Sequence, residues 1–193
     1  VLPQRDWEAR ERDMYARLYN AAITAPNTAT LDLPYLTGRT LAALLADRGV
    51  PSELRLRAIE WAVVALERFH AHGLTHGDAM AENVMVDLEA GVVRWFDFET
   101  MHDADRSFAW CRADDVRALL ATCFSRLAAD EHSGVTRVVA SAYNHPAVLA
   151  MLARFFRSPL QRPLPFHLGQ APLSMAEFRR LGELCESLAG GNS

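Results

Sequence analysis

The residues able to do chemistry gather in two short stretches. One is His76-Gly77-Asp78-Ala79-Met80-Ala81-Glu82-Asn83 and the other is Asp97-Phe98-Glu99. Asp78 and Asn83 lie five positions apart. Two β-rich runs separate Asn83 from Asp97, so a hairpin would carry Asp97 back beside Asn83. Two carboxylates and an amide oxygen converging at strand ends make a hard-oxygen site. Such a site suits Mg²⁺, which takes one or two carboxylates plus substrate phosphates. The remaining carboxylate can orient a hydroxyl and accept its proton. A metal-dependent hydrolase built from His72, His76, Asp78 and Asp97 is a further reading of the same residues. A zinc shared by His70 and His72 is not expected, because residues two apart face different sides of a helix.

The elements around these stretches are predicted to be mostly helical. Asp6 to Asn20 has Trp7, Met14, Tyr15 and Leu18 at helical spacing, with Glu11 on the same stripe. A carboxylate on an apolar face needs a partner or a rim position that reaches water. Ala25-Pro26-Asn27-Thr28 breaks that helix, and Leu31 to Leu36 reads as a short extended run weakened by Pro34. Thr37-Gly38 is a turn, and Arg39 to Asp47 a short helix. Ser52 opens a long helix through His72, with Leu56, Ile59, Val63, Leu66, Phe69 and His70 as its stripe. Val84–Val86 and Val92–Phe96 are the two strands of the hairpin. Helices follow from Arg112, over Glu131–Tyr143, over Pro146–Phe156 and over Met175–Leu188, with a Pro-rich connection from Ser158 to Pro172. The expected fold class is α+β, mostly α.

The order long helix, H-G-D-x-x-x-x-N, hairpin, D-F-E resembles the catalytic core of the protein-kinase-like superfamily. It is most similar to the small-molecule and atypical branches: aminoglycoside and choline phosphotransferases, RIO-type kinases and lipopolysaccharide-core sugar kinases. The resemblance covers roughly residues 5 to 130. It implies a helical C-lobe over residues 37–193 and a truncated N-lobe remnant over residues 1–36. It makes Asp78 the base, Asn83 and Asp97 the Mg²⁺ ligands, and ATP the phosphoryl donor. Glu11 becomes the helix glutamate that pairs with an ATP-binding lysine. Leu33-Pro34-Tyr35-Leu36 becomes the hinge, with Tyr35 and Leu36 receiving adenine. His76 and Asp115 become supports of the catalytic loop, Asp115 accepting its backbone N–H groups from a buried position.

The chain departs from that pattern in three ways. The Gly-rich loop and lysine strand would precede Glu11, where only ten residues stand, and the sequence holds no lysine at all. It begins with Val, so it is expected to be either a fragment lacking those strands or a degenerate minimal kinase. Met80 stands where Ser/Thr kinases carry a phosphate-contacting lysine. Only 17 residues separate Asp97 from Asp115, too few for a peptide-docking segment. The last two departures point to a small-molecule or sugar-like, lipid-linked acceptor. The missing lysine points to the alternative of a pseudokinase, a binding or regulatory module.

Composition narrows the remaining choices. The 193 residues suit one ordinary domain, half hydrophobic and 23% charged. All 20 basic residues are Arg, and the net charge of −4 speaks against a nucleic-acid partner. Cys111, Cys123 and Cys185 show no C-x-x-C spacing and read as small buried hydrophobes in a reducing compartment, so a cytoplasmic location is expected. No apolar run is long enough for a transmembrane segment, and the first residues are too polar for a signal peptide.

Overall fold

The computed structural model describes residues 4–27, 30–143, 145–157 and 173–190. Helix α1 spans Gln4–Tyr19 and leads into a hairpin of β1 (Thr24–Asn27) and β2 (Thr30–Asp32). Strand β3 (Arg39–Thr40) then runs directly into α2 (Leu41–Ala46), and α3 covers Ser52–Ala71. A single 3-10 turn, Ala81–Asn83, precedes β4 (Val84–Asp87) and β5 (Val92–Trp95). Four helices follow among the described residues: α4 (Phe108–Phe124), α5 (His132–Ala142), α6 (Pro146–Arg157) and α7 (Met175–Gly190). The protein is α+β and mostly helical, with a small antiparallel sheet ordered β3-β4-β5. No described helix is long and apolar enough to cross a membrane.

Helix α4 is the centre of the packing. Every residue from Ala113 to Phe124 is buried, so this stretch of the helix has no solvated face. Its charges must therefore be neutralised internally, and Arg117 pairs with Asp114 one turn away. Its sequence stripe predicts a start at Arg112, yet it begins at Phe108. The Ser107 side chain accepts the Trp110 N–H at 3.2 Å and caps it there. Helix α6 packs between α4 and α7, with Phe156 against Phe178. Cys111, Cys123 and Cys185 are all buried and free.

The other departures from the sequence pattern are small strands. Arg39 and Thr40, expected as the first residues of a helix, pair with Val86 and Met85. Thr40 then caps α2 by accepting the Ala43 N–H at 3.2 Å. Ala25-Pro26-Asn27, expected as a break, lies in β1. Of the run Leu31–Leu36, only Leu31 and Asp32 are in a strand. The predicted connection from Ser158 to Pro172 lies outside the described residues.

The hairpin registers Val84 with Trp95, which sets Asn83 beside Phe96 and brings Asp97 back to the side of the loop that carries Asp78. Gly38 lets the preceding chain pass over β4. Its φ is +95°, and a Cβ there would sit 2.3 Å from the Val86 carbonyl oxygen. Gly38→Ala is therefore expected to cost about 2–4 kcal/mol, combining left-handed strain with a backbone clash. Urea denaturation followed by circular dichroism checks this; a loss below about 1 kcal/mol would mean that the crossing is looser than drawn.

Candidate active site

The site is built on one buried carboxylate. Asp115 sits in α4, is 1% exposed, and accepts the backbone N–H of His76 at 2.8 Å and of Gly77 at 2.9 Å. His70 of α3 donates to it from Nε2 at 3.0 Å, and His102 Nε2 lies 3.5 Å away. The partners of His70 define its tautomer. Arg112 donates to the Tyr143 hydroxyl at 2.9 Å, and that hydroxyl lies 2.7 Å from His70 Nδ1. The hydroxyl can then donate to Nδ1 only if the ring's proton is on Nε2, facing Asp115. Burial alone would raise the Asp115 pKa. The His70 hydrogen bond and the fields of His102, His70 and His76 outweigh burial and hold it at about 2.

Helix α4 also sets the far end of the loop. Thr122, two turns beyond Asp115 on the same face, accepts the Ala81 N–H at 3.0 Å. The loop carrying Asp78 is thus pinned at both ends to one rigid element. Gly77 is required between the pins. Its φ is +89°, and a Cβ would lie 2.5 Å from the Thr100 carbonyl oxygen. This close crossing brings the segment after Asp97 against the loop before Asp78.

His76 joins the two carboxylate-bearing stretches. Its Nε2 lies 3.0 Å from the Phe96 carbonyl, and its Nδ1 accepts the Asp78 N–H at 3.3 Å. That pattern needs a neutral ring protonated on Nε2. Full burial supplies it, lowering the pKa to about 4 against the opposing field of Asp115. Asn83 donates both to the Asp78 carbonyl at 2.9 Å and to the Asp78 carboxylate at 3.1 Å. With its amide hydrogens committed, the Asn83 oxygen is the atom left for a cation. The Asn83 carbonyl also accepts the Phe96 N–H at 3.0 Å, next to Asp97.

Helix α1 closes the third side. Glu11 is 1% exposed and accepts the Phe98 N–H at 2.6 Å. Arg10 donates to the Phe98 carbonyl at 2.8 Å, to Thr75 at 2.8 Å and to His76 at 3.2 Å. The Phe98 ring is buried against Tyr15, Phe69 and His76. Held on both flanks, Asp97 takes a left-handed backbone, φ +65°. That region is tolerated by Asp and is uncommon for residues other than glycine.

Burial and like charge shape the acidity of the site. Asp78 is pushed up to about 6, by burial first and then by Asp97, Asp115 and Glu99, with the Asn83 hydrogen bond opposing. Asp97 is raised by burial and by Glu99. Glu11 is raised by burial, with the Phe98 N–H opposing. Among the described residues no group of three or more His, Cys, Asp and Glu side chains could hold a metal by itself. Asn83 and Asp97 fit Mg²⁺ as hard oxygen donors, and the cation would need further oxygens from a bound phosphate. The hydrolase grouping gains no support. His72 Nδ1 lies 2.7 Å from the Arg68 carbonyl at the end of α3, and both His76 nitrogens face backbone partners.

The remaining predicted residues lie elsewhere. Tyr35 is 90% exposed and Leu36 partly buried, both outside any strand. Met80 is buried rather than directed to solvent. Six contributors have no reading as site residues in the sequence pattern: Arg10, His70, His102, Arg112, Thr122 and Tyr143. His70 carried a signal, since a histidine on an apolar stripe needs a buried partner. The sequence matches no protein-family model and no curated protein.

Two outcomes are expected. Asp115→Ala removes the acceptor of several buried donors and should cost about 3–5 kcal/mol in urea unfolding. A loss under about 1 kcal/mol would contradict its place as anchor. Asp78 behaves in the opposite sense. Its folded pKa, about 6, exceeds the ordinary 3.8, so the stability linked to its proton is present below 3.8 and lost as pH rises through about 6. Asp78→Asn should therefore stabilise increasingly from pH 4 to 6 and reach about 1–2 kcal/mol above pH 7, after allowing for solvent screening. Melting curves at several pH values check this; a uniform shift at every pH would refute it.

Proposed function

We propose that the chain is an ATP-dependent phosphotransferase of protein-kinase-like fold that moves the γ-phosphoryl group to a hydroxyl of a small or sugar-like acceptor. One observation carries the reading: the Asp115, His76, Asn83 and Arg10–Glu11 hydrogen bonds converge on Asp78 and Asp97. Mg²⁺, held by Asn83 and Asp97, would supply charge neutralisation at the phosphates. Asp78 accepts the acceptor's hydroxyl proton as that oxygen bonds to the γ-phosphorus and the bond to the β–γ bridging oxygen breaks, releasing ADP. Only the ionised form of Asp78 can do this, so transfer rises with pH through about 6. Residues 1–36 would be the N-lobe remnant, with Tyr35 and Leu36 at the adenine, and residues 37–193 the C-lobe.

The role of Glu11 differs from the family pattern. With no lysine in the chain, its carboxylate serves the Phe98 backbone and so positions Asp97. This favours a second reading, a pseudokinase that binds nucleotide without turnover. The two retained carboxylates, Asp78 and Asp97, oppose it, because like charges placed within reach of one another gain nothing without a cation.

Two substitutions separate the readings. Asp78→Asn should lower transfer by roughly 10²–10⁴-fold and leave Mg-ATP affinity nearly unchanged. Asp97→Asn should weaken Mg-ATP binding as well as turnover. Calorimetry with ATP, with and without EDTA, and phosphoryl transfer to sugars, aminoglycosides and amino alcohols provide the measurements. Equal ATP affinity in EDTA would overturn the metal assignment. Mg-dependent ATP binding with no transfer to any acceptor would establish the binding module instead.

A further inference from the structure

A cavity of about 390 Å³ lies behind the catalytic loop, between the end of α1, the last turns of α3 and strand β5. Phe69, Val93 and Trp95 line it together with Arg17, Arg68 and Arg94. The rings of Phe69 and Trp95 also pack on His76, so the cavity is back to back with the loop that carries Asp78. No acidic residue is in the lining among the described residues, although the protein as a whole carries a charge of −4.

The charges do not cancel locally. Arg17 pairs with Asp13 across one helical turn. Helices α1 and α3 both end here, bringing roughly half a negative charge each, which Arg17 and Arg68 answer. Arg94 stands on a strand and answers neither dipole. Among the described residues it makes no ion pair, and Asp87 senses its field only from a distance. Strand β5 is moreover the edge of its sheet, so the cavity is bounded by backbone not wholly used in pairing.

We propose that this cavity binds a small organic phosphate, a phosphomonoester with a single-ring or similarly sized apolar body. Its volume is at the lower end of ligand pockets, which suits one ring plus a phosphate. Arg68 and Arg94 present planar donors matched to phosphate oxygens, and the partly exposed Leu18, Ala65 and Val93 provide the apolar surface over the buried Phe69 and Trp95. The site is separate from the one holding Asp78 and Asp97 and does not depend on the phosphotransferase reading.

The probe is phenyl phosphate, titrated by calorimetry into the full chain in EDTA without nucleotide. Saturable binding with Kd below about 1 mM is expected. Arg94→Gln and Arg68→Gln should each weaken it by about 10-fold or more, and Asp97→Asn should leave it unchanged. Arg68 lies on an exposed part of α3, so its variant carries the test should Arg94→Gln fail to fold. No saturation by about 10 mM, wild-type affinity in both arginine variants, or loss of binding in Asp97→Asn alone would overturn the proposal. Inorganic phosphate binding as tightly as phenyl phosphate would refute the apolar part of the site, and benzyl alcohol binding as tightly would refute the anionic part.

Discussion

Asp115 sets the conditions under which the rest of the site can exist. A carboxylate at 1% exposure is tolerable only if its lone pairs are filled, and here backbone and histidine donors fill them. The consequence is directional. Because Asp115 belongs to a stretch of helix buried on every side, it cannot shift to meet the loop; the loop must come to it. Thr122, two turns further on, receives Ala81 in the same way. The rise of a helix, about 10 Å over those two turns, therefore fixes the span of the loop from which Asp78 projects.

The same arrangement creates an electrostatic tension. Asp97, Asp115 and Glu99 all act on Asp78, Glu99 also acts on Asp97, and the Asn83 hydrogen bond offsets the effect on Asp78 only in part. A fold selected for stability alone would have no use for this. Above a pH of about 4, His76 adds no positive charge, since its burial keeps it unprotonated while it bridges the backbones of Asp78 and Phe96. The loop carrying Asp78 is thus held beside the other acidic groups mainly by backbone, Asn83 and neutral imidazole partners.

Much of this was legible in the residues. The spacing of Asp78 and Asn83, the hairpin that returns Asp97, the glycine at 77 and the helix containing Asp115 are local patterns. The two-residue strand at Arg39–Thr40 was not legible, because a strand that short has no periodicity and exists only through its pairing with Val86 and Met85. The start of α4 was missed because a cap, Ser107, outweighed the apolar stripe. Arg10 reaches Phe98 across 88 positions, and His70 reaches Tyr143 across 73. Such contacts are set by how the helices pack; the place of His70 on an apolar stripe signals that it needs a buried partner, but not which one.

Helix α1 is a wall of the site rather than an appendage to it. Through Arg10 and Glu11 it answers the Phe98 N–H, the Phe98 carbonyl and the carbonyls of Thr75 and His76. Were α1 to move away, those backbone groups would lose their partners, and the left-handed turn at Asp97 would lose the hold on its following residue. Tyr19 adds a further tie, its hydroxyl donating to the Trp95 carbonyl at 2.6 Å just before the same turn. The backbone on both sides of Asp97 is thus bonded to one helix, while the backbone around Asp78 is bonded to another. The relative position of the two carboxylates follows from how α1 and α4 are placed about the buried Phe98 and His76.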